Sequence, residues 1–138
     1  ILFINKNNEV TFGSPKGAVQ NALTGDRMLV EKNKKIAGLD KSTFDPRTAV
    51  GLNKNGRWLY IVVVDGREFS EGVNFDELAD IMLSYGAHTA VALDGGGSST
   101  MVIEGVNGQP HVLSTLIDEN VPGQERAVAN HLGIFIKK

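Results

Sequence analysis

The sequence predicts one α/β (α+β) domain, in which a mixed, strand-dominated sheet carries one amphipathic helix packed on a face. Three observations predict this class. Short β-branched or alternating segments follow one another and are separated by Gly and Asn. A strong hairpin signal joins two of these segments, and a single stretch has the period of an amphipathic helix. We expect residues 1–138 to form a single domain, because no linker, repeat or low-complexity tract interrupts them.

The hairpin signal is the tetrapeptide Asn53-Lys-Asn-Gly56, which stands between Arg47-Thr-Ala-Val-Gly-Leu52 and the apolar segment 57–64. The Asn-Gly pair tolerates the positive φ that tight turns between strands require. The spacing therefore predicts two antiparallel strands joined by this turn.

The helix is predicted to begin after Asn74, which can cap it, and to end near Gly86. Glu77 stands three residues after Asn74, at the position that completes a capping box. The apolar residues that fall on one face at helical spacing are Phe75, Leu78, Ala79, Met82 and Tyr85. We expect this face to pack on the sheet.

Other strands are predicted from their apolar and β-branched content. These segments are Thr89–Leu93, Thr100–Ile103 and Val128–Ile136, with shorter patterns at Leu2–Ile4, Val10–Phe12 and Met28–Val30. The stretch Glu104–Gln109 predicts a second turn, because it contains two glycines and an asparagine. The segment Pro15–Ala22 fits a short helix or a loop equally well.

The composition excludes several classes of protein. The content of 41% hydrophobic and 22% charged residues is typical of soluble globular domains, and it excludes disorder. The longest unbroken apolar run, residues 59–64, is far shorter than the roughly 20 residues of a membrane-spanning helix. A net charge of -2 provides no overall basic field for binding nucleic acid, although it leaves local basic patches open. The absence of cysteine excludes disulfides and thiolate chemistry.

The glycine run within Val91-Ala-Leu-Asp-Gly-Gly-Gly-Ser-Ser-Thr100 requires an explanation. Ordering three consecutive glycines costs more backbone entropy than ordering any other three residues. One interpretation is a loose turn between two strands. The other is an anion-binding cradle, with one carboxylate, unobstructed glycine amides and serine hydroxyls. The pattern is neither a Walker loop nor a dinucleotide fingerprint, and it contains no Gly-x-Ser-x-Gly elbow.

Five motifs occur along the chain in a fixed order. They are Arg47-Thr-Ala-Val-Gly51, Val64-Asp-Gly66, Glu71-Gly-Val-Asn74 leading into Glu77-Leu-Ala79, Leu93-Asp-Gly-Gly-Gly-Ser-Ser99 and Arg126-Ala-Val128. In this succession the chain resembles the phosphodiester glycosidase family, over roughly residues 24 to 136. The resemblance implies hydrolysis of a sugar-1-phosphodiester of the N-acetylglucosamine type. It also favours an exported or cell-envelope setting, with a polysaccharide phosphodiester as substrate.

The resemblance also implies that part of the domain lies outside this chain. Family members carry an upstream Asn-Gly-Gly-Phe-Phe-like motif, which residues 1–23 lack, and the chain starts at Ile1 without an initiator Met or signal peptide. We therefore interpret the chain as the C-terminal two-thirds of a domain. The missing N-terminal segment, or a second copy in a homo-oligomer, is expected to complete it.

The family positions of Arg47 and Arg126 imply that both arginines clamp the substrate phosphate, since a guanidinium fork fits two phosphate oxygens. From the sequence alone, each arginine would instead be interpreted as half of a surface ion pair, with Asp45 or Glu125 as the partner.

Asp94 is expected to be the reacting carboxylate, as nucleophile or base, because it ends a buried strand at the glycine run; alternatively it only caps the glycine amides. Asp65 is the second catalytic candidate, although Asp-Gly is a common turn. Ser98 and Ser99 would bind phosphate or sugar hydroxyls, or only satisfy the loop backbone. The glycines expected to line the anion site are Gly95, Gly96 and Gly97.

We expect no metal and no cofactor, because His88, His111 and His131 are unclustered and lack zinc-ligand spacing. Two other function classes stay open. A carbohydrate- or phosphate-binding module would use the same cradle without turnover. An assembly domain would cover an exposed sheet edge with another copy of the chain.

Overall fold

The computed structural model describes residues 1–136. The strands, in chain order, are β1 (Leu2–Asn5), β2 (Val10–Phe12), β3 (Val19–Leu23), β4 (Arg27–Glu31), β5 (Lys34–Lys35), β6 (Arg47–Leu52), β7 (Leu59–Val64), β8 (Thr89–Ala92), β9 (Val102–Glu104), β10 (Pro110–Val112), β11 (Ile117–Asp118) and β12 (Val121–Pro122). The helix α1 runs from Phe75–Ser84, and a short 3₁₀ turn covers Gly96–Ser98. The predicted class, a strand-dominated α+β fold with an amphipathic helix, is confirmed.

The central sheet has five strands in the order β5-β4-β8-β6-β7. The predicted hairpin is confirmed, because β6 and β7 pair antiparallel with Arg47 opposite Val64 and Leu52 opposite Leu59. Each neighbouring pair in this sheet is antiparallel, so the expected mixture of strand directions was wrong. The reason is that the crossover through α1 connects β7 to β8, which run in the same direction but are separated by β6.

The helix begins where the sequence predicts it. The Asn74 side chain accepts a hydrogen bond from the Glu77 amide at 2.9 Å, and the Glu77 carboxylate accepts one from the Asn74 amide at 3.2 Å. The buried residues of the helix are Phe75, Leu78, Ala79 and Met82. Tyr85 was expected on the same face, but it is the C-cap residue and is 62% exposed. Gly86, with φ of +91°, ends the helix as predicted.

Replacing Asn74 by Ala is expected to lower the free energy of unfolding by about 1–2 kcal/mol, because it removes this cap. It also removes the hydrogen bond from the Asn74 amide group to the Lys41 carbonyl. Chemical denaturation of both proteins measures the difference. Ser84→Ala, an exposed change in the last turn of the same helix, is the control and should alter stability little. Equal stabilities of Asn74→Ala and Ser84→Ala would contradict the capping role.

The core lies between α1 and one face of the central sheet. Leu78, Ala79 and Met82 of the helix pack there against small residues of the strands, which include Ala49 and Ala90. These small side chains let the helix approach the sheet closely. At Gly51 even a methyl group would lie 2.8 Å from the Met82 side chain. The helix thereby fixes β4, β6 and β8, whose ends carry the candidate site.

Three smaller sheets surround this unit, with the orders β2-β1-β3, β10-β9 and β11-β12. The predicted strands near Leu2, Val10 and Met28 are confirmed as β1, β2 and β4. The segment Pro15–Ala22 is neither helix nor simply a loop, because Val19–Leu23 forms β3 and pairs with β1. The turn at Glu104–Gln109 is confirmed between β9 and β10, although β9 starts two residues later than predicted.

The predicted last strand, Val128–Ile136, was wrong. In the described part of the chain this segment forms no strand, and Phe135 and Ile136 are 95% and 90% exposed. An apolar, β-branched pattern forms a strand only where a partner satisfies its backbone groups. Within residues 1–136, no helix has the length and apolar character needed to cross a membrane.

Candidate active site

The candidate site lies where β7 and β8 end and where β4 and β6 begin, and we call this end of the central sheet the site edge. Because β6 runs antiparallel to both neighbours, its first residue, Arg47, lies at the edge where β7 and β8 end. Asp65 follows β7, and Asp94 follows β8 at this edge. Arg27, at the start of β4, lies opposite Ala92 and is therefore at the same edge. The sheet thus collects charged residues from four separate parts of the chain.

The glycine loop, defined here as Gly95–Gly97, fits between these charged groups. A methyl group on Gly95 would lie 2.9 Å from the Pro46 carbonyl, and one on Gly96 would lie 2.9 Å from the Arg67 guanidinium. Gly96 also has a φ of +59°. A methyl group on Gly97 would overlap the Asp118 carboxylate. Close approach to these groups therefore explains all three glycines, and the loop is tightly packed rather than loose.

The loop amides are only partly available to a ligand. Gly96 donates to the Pro46 carbonyl at 2.8 Å, Ser98 to Gly95 at 3.2 Å and Ser99 to Gly96 at 3.0 Å. Within residues 1–136, the remaining amides of the run, those of Gly95 and Gly97, donate to no protein group. Of the three glycine amides expected to line the cradle, two are therefore unbonded within the described residues.

Arg47 is a buried cation beside this loop, with only 8% of its surface exposed. Its guanidinium stacks on the Phe75 ring at 3.9 Å, and it donates to the carbonyls of Val73 at 3.3 Å and Thr43 at 3.0 Å. A methyl group on Gly95 would lie 3.5 Å from its Nη1. Burial lowers the pKa of Arg47 from its ordinary value. No carboxylate in the described chain lies in salt-bridge range of it, which is unusual for a buried charge.

The ion pair that the sequence suggested between Arg47 and Asp45 does not form. Asp45 instead binds Arg67 in a bidentate pair, with Nε to Oδ1 at 2.6 Å and Nη2 to Oδ2 at 3.1 Å. Asp45 is also tied to the segment before α1 by a backbone hydrogen bond from Val73 at 3.1 Å. The Arg67–Asp45 pair forms the wall against which Gly96 packs.

Arg126 makes an ion pair, but with Asp118 rather than with Glu125. Its Nε and Nη2 lie 2.8 and 2.6 Å from the same oxygen, Oδ1 of Asp118. The hydrogen bond from Arg126 lowers the pKa of Asp118, and the same contact raises the pKa of Arg126, with a smaller contribution from the charge of Asp94. Asp118 packs against Gly97, so its partner Arg126 lies close to the glycine loop.

Asp94 is exposed at the end of β8, and its Oδ2 accepts a hydrogen bond from the Ser98 hydroxyl at 2.7 Å. Ser99 is 4% exposed, and its hydroxyl has no hydrogen-bond partner within residues 1–136. The hydroxyl of Thr48, in β6, is likewise buried without a partner there. Both hydroxyl oxygens are buried, so neither is exposed to a ligand in this structure.

Asp65 is less available for chemistry than Asp94. Its Oδ1 accepts from the Thr115 amide and its Oδ2 from the Thr115 hydroxyl, both at 2.9 Å. These bonds link the end of β7 to the segment before β11. The two candidate carboxylates therefore share one edge of the sheet, but Asp65 has a structural role there.

The Asp118–Arg126 pair predicts a pH dependence of stability. Because the folded-state pKa of Asp118 is lowered, the pair stabilises the fold fully above the unfolded pKa of about 3.9, and this contribution disappears as the pH falls through the folded-state value. We expect Asp118→Asn to be less stable than wild type at neutral pH and to converge with it in acid. Urea denaturation at pH values from neutral to acid measures this. A gap that stays constant on acidification would contradict it.

Within residues 1–136, no group of three or more His, Asp or Glu side chains is arranged to hold a metal ion. The sequence did not identify Asp118 or Arg67 as site residues, and it predicted Phe75 only as part of the apolar helix face. Their roles depend on contacts with Gly97, Asp45 and Arg47, which are distant in the chain. The one available signal was the glycine run itself, since consecutive glycines indicate that other groups approach the backbone closely.

The sequence pattern of the phosphodiester glycosidase family matches residues 2–135, and so includes β1–β3 as well as the region of resemblance. The N-acetylglucosamine-1-phosphodiester alpha-N-acetylglucosaminidase of Bos taurus is 42% identical over 59 residues, which is 43% of this chain and 11% of that protein. The SPbeta prophage-derived uncharacterized protein YomE of Bacillus subtilis (strain 168) is 36% identical over 96 residues, 69% of this chain and 13% of that protein.

Among solved structures, the fold is similar to the catalytic domain of zebrafish N-acetylglucosamine-1-phosphodiester alpha-N-acetylglucosaminidase auto-inhibited by its pro-peptide. The TM-score is 0.65 at 24% identity, with 80% of this chain and 43% of that chain covered. The chain therefore spans about a tenth of its curated relatives and less than half of this solved chain. By the match over residues 2–135, this chain belongs to the phosphodiester glycosidase family.

Proposed function

We propose that this protein hydrolyses the glycosidic bond of a sugar-1-phosphodiester and releases the sugar and a phosphomonoester. The observation that carries the proposal is the buried Arg47 guanidinium, which has no carboxylate partner in the described chain and lies beside the glycine loop. A desolvated cation of this kind attracts an anionic group. The exposed carboxylate of Asp94 at the end of the same loop supplies the second requirement of glycosyl transfer.

The chemistry divides between these residues. The bond between the sugar C1 and the phosphate oxygen breaks, and its electron pair stays on the phosphate. Arg47 and the free loop amides stabilise the charge that develops there. The Asp94 carboxylate either attacks C1 or takes a proton from the attacking water, and water supplies the new oxygen at C1. Phosphate is a good leaving group, so the need for a strong general acid is small.

We assign the reacting role to Asp94 rather than to Asp65. The Ser98 hydroxyl donates to Asp94 and can hold its carboxylate in one orientation. Both oxygens of Asp65 are already used by Thr115. As substrate we propose an N-acetylglucosamine-1-phosphodiester, the group in the names of the mammalian relatives.

The test is incubation of the full-length protein with an N-acetylglucosamine-1-phosphodiester, followed by assay for free sugar. The proposal expects equimolar release of sugar and phosphomonoester. Tight binding of the phosphodiester without release of free sugar would contradict the glycosidase proposal and would favour a binding module. The corresponding sugar-6-phosphodiester is the control substrate, because it carries the same charge but offers no glycosidic bond to phosphate.

One observation favours the assembly role as a second candidate. Within residues 1–136, β7 forms the outer edge of the central sheet and pairs only with β6. Its sequence, Leu59-Tyr-Ile-Val-Val-Val64, is apolar and carries no charge to block pairing with another strand. Light scattering of the full-length protein distinguishes the cases. A concentration-independent monomer would eliminate assembly through this edge.

A further inference from the structure

We infer that the substrate binds in one orientation, with its phosphate at the Arg47 side of the glycine loop and its sugar against Arg126 and Asp94. This inference rests on the proposed function, and it changes the role of Arg126. Arg126 becomes a sugar-binding residue rather than a second phosphate clamp. Asp118 becomes a positioning residue that holds Arg126 against the loop.

On the Arg47 side of the loop, no carboxylate within residues 1–136 contacts the buried guanidinium. Its donors bind the neutral carbonyl groups of Val73 and Thr43. The nearby carboxylates of Asp45 and Asp26 act on Arg47 only through their charge, and each is paired with another arginine. Arg27 adds a second cation nearby, since its guanidinium lies 3.9 Å from the centre of the same Phe75 ring. Only the Arg27 charge has a carboxylate partner, Asp26 at 2.9 Å. A phosphate bound here replaces no protein anion.

The Arg126 side carries a net negative charge. Asp118 neutralises Arg126 through two contacts to one oxygen, at 2.8 and 2.6 Å. Asp94 adds a second carboxylate that acts on the same arginine. One cation and two carboxylates repel a phosphate group, because like charges at short range disfavour binding.

A sugar suits this side better than a phosphate does. Its hydroxyls are uncharged, so they donate to an exposed carboxylate and accept from an arginine without requiring a counter-ion. The side chain of Arg126 is 38% exposed, and Asp94 is exposed, so a ligand can reach both. Asp118 lies behind Arg126, with its carboxylate against Gly97, and fixes where the arginine points.

The test compares Arg47→Gln, Arg126→Gln and Asp118→Asn by calorimetric titration with inorganic phosphate and, separately, with free N-acetylglucosamine. We expect Arg47→Gln to weaken phosphate binding by at least about tenfold and to leave sugar binding nearly unchanged. Arg126→Gln should do the reverse. Asp118→Asn should strengthen phosphate binding several-fold, because it leaves the charge of Arg126 unbalanced. The double variant Asp118→Asn/Arg126→Gln should lose that gain.

Thermal unfolding establishes that each variant is folded. If Arg126→Gln is not, Arg126→Lys keeps the pair with Asp118 and should weaken sugar binding alone. Equal losses of phosphate affinity in Arg47→Gln and Arg126→Gln would overturn the inference in favour of a two-arginine clamp. So would an Asp118→Asn protein with unchanged phosphate affinity. Neither titration requires turnover. Absence of hydrolysis would therefore contradict the proposed function, but it would not contradict the binding orientation inferred here.

Discussion

Asp94→Asn is expected to lower kcat for a sugar-1-phosphodiester by about 1,000-fold or more while substrate binding survives. The amide keeps the size of the carboxylate and can still accept from the Ser98 hydroxyl. It lacks the charge that captures or stabilises an oxocarbenium centre. Affinity for an inert sugar-1-phosphate should hold or rise, because the lost carboxylate no longer repels the phosphate. Steady-state hydrolysis and calorimetric titration, applied to the same preparation, measure both quantities.

Asp65→Asn is the matched control for this experiment, because it changes a carboxylate at the same sheet edge. Its expected effect is on stability, through the two hydrogen bonds from Thr115. Turnover should stay within a few-fold of wild type. Near-native hydrolysis by Asp94→Asn would show that Asp94 only caps the loop. A collapse of turnover in Asp65→Asn instead would move the reacting role to Asp65.

Gly97→Ala is expected to lower both stability and turnover. The new methyl group would occupy the position of the Asp118 carboxylate, so the Asp118–Arg126 pair or the loop must move. Overpacking of this kind costs about 1–3 kcal/mol of unfolding free energy. Because Asp94 and Ser98 flank the loop, the displacement should also lower hydrolysis. Urea denaturation and steady-state kinetics provide the two readouts.

The control is Gly133→Ala. At that position the nearest neighbour of the added methyl group, the Phe135 ring, lies 3.4 Å away, which is an ordinary contact. The change should be close to neutral for both stability and turnover. If Gly97→Ala changes stability and turnover as little as Gly133→Ala does, the loop can accept a methyl group at Gly97. The loop is then not tightly packed against Asp118.

The elements that local sequence determines could be predicted. The hairpin follows from Asn55 and Gly56, and the helix from Asn74 and Glu77, because turn and capping signals act within a few residues. The position of Asp94 after a buried strand was also predictable from the pattern around it. The strand predicted near the C-terminus was not formed, because pairing depends on a neighbour that a local pattern does not reveal.

The charge arrangement of the site could not be predicted, because it depends on contacts between distant residues. Arg67 reaches Asp45 across 22 positions, and Thr115 reaches Asp65 across 50. The sequence suggested ion pairs for Arg47 and Arg126 with acidic residues beside them in the chain. In the folded chain Arg47 is instead buried against Phe75, and Arg126 forms an ion pair with Asp118. Which arginine keeps an unbalanced charge is therefore a property of the tertiary structure.

A phosphodiester glycosidase breaks the bond between the sugar C1 and oxygen, and not the bond between phosphorus and oxygen. Hydrolysis of an N-acetylglucosamine-1-phosphodiester in water labelled with a heavy oxygen isotope tests it most directly. Mass spectrometry of products quenched before the free sugar exchanges its anomeric oxygen locates the label. Cleavage at C1 should place the label at C1 of the released sugar and none in the phosphomonoester. Label in the phosphomonoester would show attack at phosphorus and contradict the glycosidase account.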